Sequence, residues 1–401
     1  MTASPDARRP HLPRATQRDG DTVTFLELFF DLVLVLALTQ ATAIMAADPS
    51  WDGLARGVLV LGVMWWSWVG YAWLTSVIDP DAGAPRLVMA TAMGGLLVSA
   101  LALPHAFDDD ALLFAVAYGF VRYAQLGLFW IAAREDEDDR LRKSVGGLAI
   151  STTIGVALIT GASFADGTAQ GLIWLVAIIL DMGGPYVFGS EGWRLSPKHF
   201  AERHALILII ALGESIVAIG VGAEGLESGL GTNEVIAAVL GVSVAFSMWW
   251  MYFDVVEKVA SRRLQQAAEG KERNEIARDS YSYLHFPMVA GIVLVALGLK
   301  KTIGHTDDHL HVEIATAMYG GMAIYLFAHL SFRWRNVRRF SAQRLVVAIL
   351  CLACIPLAAH ITALAALAIL AGLCAALIVY ETVRFRTVRA ELLARLREHG
   401  H

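Results

Sequence analysis

The chain has 401 residues, 56% of them hydrophobic and only 17% charged, with a mean hydropathy of +0.55 and a formal net charge of −5. So small a charged fraction excludes an ordinary water-soluble domain, where about a quarter of residues are charged. Basic residues scattered among short loops, with no continuous stripe, exclude nucleic acid as a partner; the partner implied is the lipid bilayer.

Residues 1–24 are polar and rich in Arg and Pro. They read as a cytoplasmic segment rather than a signal peptide, because the apolar run that follows is long enough to span and has no small-residue cleavage site. Runs long enough for one crossing, about 20 residues each, fall at 25–47, 54–78, 86–104, 111–132, 144–164, 169–189, 203–223, 233–256, 282–303, 312–331, 341–360 and 363–383. The last two meet at Ala359-His360-Ile361-Thr362 and predict a tight helical hairpin. The expected fold is therefore all-α, a polytopic membrane protein of about twelve transmembrane helices. The charge-rich stretch Glu257–Asp279 is expected to be a solvent-facing helix or flexible loop, and the acidic run Glu135–Asp139 a solvated loop.

Loop charges test this count independently. With the N-terminus inside, 28 of the 32 Lys and Arg fall on the cytoplasmic side, three (Arg56, Lys300, Lys301) fall outside, and Arg122 lies within a helix. Adding or removing one helix would destroy the alternation, so the positive-inside rule predicts an even count with both termini cytoplasmic.

Two halves look alike. Placing Glu27 on Glu202 puts Thr39-Gln40 on Glu214-Ser215; Trp68 and Tyr71 then resemble Trp249 and Tyr252, and Tyr118-Gly119 resembles Tyr319-Gly320. Matches recurring in order, six helices apart, predict a parallel six-plus-six pseudo-repeat. Its first half is 25–190 and its second half 191–385, with 386–401 as a cytoplasmic tail.

Charges inside lipid are costly and face a bundle interior or a water-filled cavity. Glu27 and Asp31 are four residues apart and share a helical face. Glu202, Arg203 and His204 open the seventh helix at the same membrane level, so these five residues form either a proton-responsive gate or a structural clasp. Glu214 and Arg122 each lie eleven residues into a helix, about 16 Å deep, and are expected to pair across the interior, with Ser215 adding a hydroxyl. Asp181 precedes Gly183-Gly184-Pro185, which predicts a broken helix beside a substrate or ion site. Trp65, Trp66, Trp68, Tyr71 and Trp73 read most simply as an interfacial belt. Cys351, Cys354 and Cys374 read as helix packing. His285, His329 and His360 read as structural. His305, His309 and His311 read as part of a solvated outer loop, so no metal set is assigned.

The segments Glu27-Leu-Phe-Phe-Asp31 running on to Gln40, Glu202-Arg203 followed by Leu212-Gly-Glu-Ser215, Trp249-Trp250 with Tyr252-Phe-Asp254, and His285-Phe-Pro287-Met-Val-Ala-Gly291 resemble the bacterial low-temperature-requirement A family across essentially the whole chain. The resemblance implies a polytopic membrane protein linked by name to growth at low temperature, and brings no substrate with it. By motif position it makes Glu27, Asp31, Glu202, Arg203 and Glu214 the family's characteristic polar residues.

No Walker loop, His-Glu-x-x-His or Gly-x-Ser-x-Gly is present, which weighs against most hydrolases and primary pumps; no catalytic residues are assigned, and the sequence does not specify a cofactor. The leading expectation is a secondary transporter of a small solute, with the proton as a candidate coupling ion. A membrane-embedded enzyme or a cofactor- or lipid-binding protein is the alternative. The sequence does not specify the oligomeric state.

Overall fold

The computed structural model describes residues 21–391 apart from 82, 135–138, 190–191, 225, 227–228 and 388. The expectations for residues 1–20, most of the acidic run from Glu135, Glu227 and the tail beyond 391 lie outside the described residues. Fourteen α-helices make up the described chain: α1 (Phe25–Ala47), α2 (Trp51–Val77), α3 (Gly83–Ala102), α4 (Ala111–Arg134), α5 (Asp139–Ala162), α6 (Gly167–Val187), α7 (Pro197–Glu224), α8 (Thr232–Phe253), α9 (Val256–Gln266), α10 (Lys271–Ile276), α11 (His285–Gly304), α12 (Val312–Val337), α13 (Ala342–Ala358) and α14 (Ala363–Arg384). A π-helical turn, Ala277–Tyr283, joins α10 to α11. Among the described residues eleven spans are long and apolar enough to cross a bilayer, and α13, at 17 residues, is a shorter twelfth apolar helix.

Local chemistry sets several helix starts. Thr24 and Glu27 form a reciprocal capping box at α1, and Ser50 and Thr362 accept from the first turns of α2 and α14. Thr362 thereby fixes the turn of the α13–α14 hairpin, as expected. The segment after Glu257 is not a free loop: α9 and α10 fold back beneath the bundle, with α9 against α7, α8 and α12. Helix α6 is continuous rather than broken. Pro185 falls in its last turn, where the carbonyl it deprives of a partner belongs to Asp181, and the helix ends two residues later.

The outward faces expose large apolar side chains, Val116, Phe120, Ile179, Val239 and Val379 among them, a surface suited to lipid and not to water. Helices α2, α11 and α12 are the most enclosed. Where α11 crosses α12, a Cβ on Gly291 or Gly321 would stand 2.6 or 2.8 Å from the other's carbonyl oxygen, so only glycine permits this approach.

Helices α1 and α7 run side by side. Ser196 reaches Asp21 just before them, His199 and Arg203 reach Glu27, Arg203 reaches Asp31, and Thr39 reaches Glu214. The residue numbers differ by 172 to 176 in every pair, and a near-constant difference means parallel helices in register. Packing also follows one scheme twice. Helix α1 lies on α2 and α3, α3 on α4, α4 on α5, α5 on α6, and α6 back on α2. Helix α7 lies on α8 and α11, α11 on α12, α12 on α13, α13 on α14, and α14 back on α8. The end of the bundle at which α1 and α7 begin is called the near end below.

Candidate functional site

The seam between α1 and α7 gathers the densest buried polar cluster. Glu27 and Asp31, one turn apart on α1, both face Arg203, whose two terminal nitrogens divide between them: Nη1 to Glu27 Oε1 at 3.0 Å and Nη2 to Asp31 Oδ1 at 2.6 Å. All three side chains are completely buried. Burying such charges is favourable only when each is paired and further hydrogen-bonded, and the neighbours supply most of those bonds, Arg203 Nε and Asp31 Oδ2 having no partner among the described residues. His199, one turn before Arg203, contacts Glu27 Oε1 at 2.8 Å, and its Nδ1 meets Ser76 Oγ. Thr75 accepts from Arg203, and Trp68 Nε1 donates to Asp31 Oδ1 at 2.7 Å.

The two carboxylates are not equivalent. Glu27 spends Oε2 on the capping box, accepting from Thr24 N at 2.8 Å, and is thereby fixed to the start of its own helix. Asp31 concentrates both donors on Oδ1 and leaves Oδ2 buried without a hydrogen bond among the described residues. A buried orphan acceptor is expensive, which marks Asp31 as the member of the cluster with capacity to take a proton.

The other expected members lie elsewhere. His204 follows Arg203 by about 100° of helix rotation and enters an aromatic cage. Its ring is 5.0 Å from Trp68, 4.4 Å from Phe200, 5.4 Å from Tyr281 and 5.2 Å from His285. Glu202, rotated the opposite way, is half-buried beside Glu257. The interfacial-belt reading fails for α2: Trp65 and Trp68 are fully enclosed, and Trp65 and Trp73 donate to Ser282 of the π-helical turn. Sequence reasoning missed His199, Thr75 and Ser76; the available signal was His199 standing four residues before Arg203, on the same face of α7.

Deeper along the seam, Glu214 is buried and receives Thr39 Oγ1 at 2.6 Å, with the Thr42 hydroxyl alongside. The expected pairing of Glu214 with Arg122 does not form. Arg122 is on α4, which packs against α2, α3 and α5 rather than α7, so equal depth did not make them neighbours. Its partner is Asp181 of α6, reached at 2.8 and 3.0 Å, with Thr152, Gln125 and the Trp66 carbonyl as further acceptors for the two terminal nitrogens, while Nε has no partner among the described residues. Gly70 makes room, since a Cβ there would lie 2.1 Å from Gln125. Arg122 also lines a narrow aromatic cavity of about 60 Å³ with Trp66, Trp73, Phe129 and Trp193. Ser215 is buried, and its hydroxyl has no partner among the described residues.

The second half carries its own buried ion pair. Arg344 at the start of α13 grips Glu381 of α14 with Nε at 2.8 Å and Nη2 at 2.7 Å, and its Nη1 meets His329. His285 accepts from or donates to Tyr252 at 2.8 Å and sits against the Ser280 carbonyl.

A sequence profile described as "Bacterial low temperature requirement A protein (LtrA)" matches residues 22–379. The chain is also 30% identical over 325 residues to the uncharacterized protein RA0937 of Rhizobium meliloti (strain 1021), covering 79% of this chain and 78% of that one. No solved structure matches. The matched residues run from before the capping box of α1 to the last turns of α14 and take in Glu27, Asp31, His199 and Arg203 of the seam and the Arg122–Asp181 pair; the chain belongs to the bacterial low temperature requirement A family of multi-pass membrane proteins.

Proposed function

We propose that the protein is a proton-coupled secondary transporter of a small solute, placed in the bacterial cytoplasmic membrane with the near end and both termini facing the cytoplasm. The observation that carries this reading is Asp31, fully buried between the two bundles with one oxygen unspent. A clasp that served only to hold helices together would be replaced at little cost by apolar packing; a carboxylate with a free buried oxygen has somewhere to put a proton.

Protonating Asp31 removes the negative charge that Arg203 neutralises and leaves Arg203 held by Glu27 alone. The cross-seam attraction falls, and the near end of α1 is released from α7. Glu214, farther along the same seam with two threonine hydroxyls, is the second carboxylate on the route. Two six-helix units in the same orientation, α1–α6 and α7–α14 with α9 and α10 as an insertion, then rock against each other about the seam. The recurrent packing scheme and the in-register pairing of α1 with α7 support this division. The 28-to-3 split of Lys and Arg between the expected cytoplasmic and outer segments supports the orientation.

The test uses purified protein in liposomes loaded with a pH-sensitive dye and offered a panel of amino acids, organic acids, amines and sugars. Solute-evoked proton movement is expected for the wild type. Asp31→Asn is expected to exchange solute without responding to a pH gradient. A variant that merely melts earlier, with flux per folded molecule and its pH-gradient dependence unchanged, would reduce the cluster to a clasp. Dependence on sodium rather than on the pH gradient would overturn the proton.

A further inference from the structure

A cavity of about 680 Å³ lies away from the seam, at the near end between α8, α9, α12, α13 and α14. That is within the size range of small-ligand sites, about 300–1,000 Å³. Four arginines line it, Arg333, Arg339, Arg344 and Arg389, against the carboxylates Glu381, Asp254 and Glu391. Two of the four are already spent: Arg344 on Glu381 and Arg389 on Asp254. Arg333 is half-buried and has Arg339 and Arg344 as like-charged neighbours, with Glu381, already bound to Arg344, as the nearby countercharge. Neither Arg333 nor Arg339 makes a hydrogen bond or ion pair with a described side chain.

A second feature points the same way. Ser341, also on the cavity wall, is the N-cap of α13 and is 2% exposed, yet its hydroxyl neither caps the helix nor finds any other partner among the described residues. The first N–H groups of a helix have no intrahelical acceptor and carry the positive end of its dipole. An unspent hydroxyl, an uncapped N-terminus of a 17-residue helix and two unspent guanidinium groups converge on one cavity, a constellation that binds phosphate. Arg338, in the left-handed region at φ 53°, ends α12 and turns the chain so that Arg339 leads into Ser341. The remaining wall is mixed: Asn336, Gln343 and Thr382 are polar, Trp250 and Phe332 give it an aromatic side, and Phe340 and Phe385 are exposed.

We propose that this cavity is a binding site for a phosphate ester, its anion held by Arg333, Arg339, Ser341 and the α13 N-terminus and its apolar part by the aromatic wall. The charge and the aromatic side together fit the headgroup region of an anionic phospholipid, and a soluble phosphate ester shares the same anion. The site is independent of the transport reading and of the seam.

Full-length protein in a neutral detergent would be titrated with dioleoyl phosphatidylglycerol, dioleoyl phosphatidylcholine and glycerol 3-phosphate, reading melting temperature and bound lipid by native mass spectrometry. Phosphatidylglycerol is expected to bind and raise the melting temperature where phosphatidylcholine does not. Arg333→Gln and Ser341→Ala should each weaken that binding about tenfold or more, the scale of one lost charge-assisted contact. Should Arg333→Gln fail to fold, the exposed Arg339→Gln serves in its place. A response to glycerol 3-phosphate but not to the lipid would assign the site to a soluble ester. Equal responses to phosphatidylglycerol and phosphatidylcholine with none to glycerol 3-phosphate, or variants that bind like the wild type, would overturn the proposal.

Discussion

Arg122 and Asp181 illustrate how a buried charge behaves once it is committed. Three side chains and a carbonyl surround the guanidinium, and Asp181 accepts from it, from Thr152 and, at the longer distance of 3.4 Å, from Tyr118. Removing either partner leaves the other as a buried charge without its counterion. Arg122→Met and Asp181→Leu are therefore each expected to destabilise the purified protein by about 3–5 kcal/mol. The double change to apolar residues of similar volume, Arg122→Met with Asp181→Leu, should cost clearly less than the sum, because no charge is left alone. Thermal unfolding of the four proteins in one detergent measures this; strict additivity would mean that the pair does not interact. Glu214 differs, since it has hydroxyls rather than a cation in hydrogen-bond contact. Glu214→Gln keeps an oxygen for Thr39 to donate to and should change stability by about 1 kcal/mol or less. Under the transport proposal it should stop solute-driven proton movement. Flux and melting temperature on the same variant separate the two effects.

At the level of helices the seam is what distinguishes this bundle from passive packing. Its near end is closed by Asp21 and Ser196, whose side-chain oxygens are 3.0 Å apart, so a short thiol-reactive cross-linker can span the two positions once both are cysteine. In Asp21→Cys with Ser196→Cys, a short bis-methanethiosulfonate reagent should give an intramolecular cross-link, seen as a gel-mobility change after cleavage of the α6–α7 loop. Solute flux should stop and return on reduction. Flux that continues through the cross-linked protein would show that the seam does not part there. The same pair was invisible as a pair from the sequence. The equivalence of Glu27 with Glu202 gave the register of α1 against α7, and the observed contacts keep that register to within a few residues, but which side chains point into the seam depended on helix rotation. That is why Arg203 and His199 enter the cluster while their neighbours Glu202 and His204 turn away.

For the whole molecule, the orientation and the division into halves make separate demands. A reporter fused after Arg397 should report cytoplasm and one inserted beside Asp109 the exterior; both on one side would end the even count on which the charge argument rests. If each half is a packing unit, fragments 1–190 and 191–401 expressed together should reassemble into a complex that melts as one species, because the contact scheme closes within each half and the seam supplies the rest. Fragments that insert but never associate would count against two units.

Much of the architecture was legible in advance for a simple reason: spanning lipid demands long apolar runs, and their length, spacing and flanking charge are one-dimensional properties of a chain. The helical hairpin at Thr362, the membrane class and the polar positions of α1 and α7 all follow from such patterns. Only the tertiary structure decided who meets whom. Arg122 was matched by depth to Glu214 and belongs to Asp181, because depth is set by position along a helix whereas partnership is set by which helices touch. Trp68 was taken for a residue at the membrane surface and is the buried donor to Asp31. The phosphate-type cavity had no sequence signature, since Arg333, Arg339 and Ser341 belong to an ordinary basic loop until the fold spends Arg344 on Glu381 and Arg389 on Asp254, leaving the remaining two arginines and the hydroxyl facing one space.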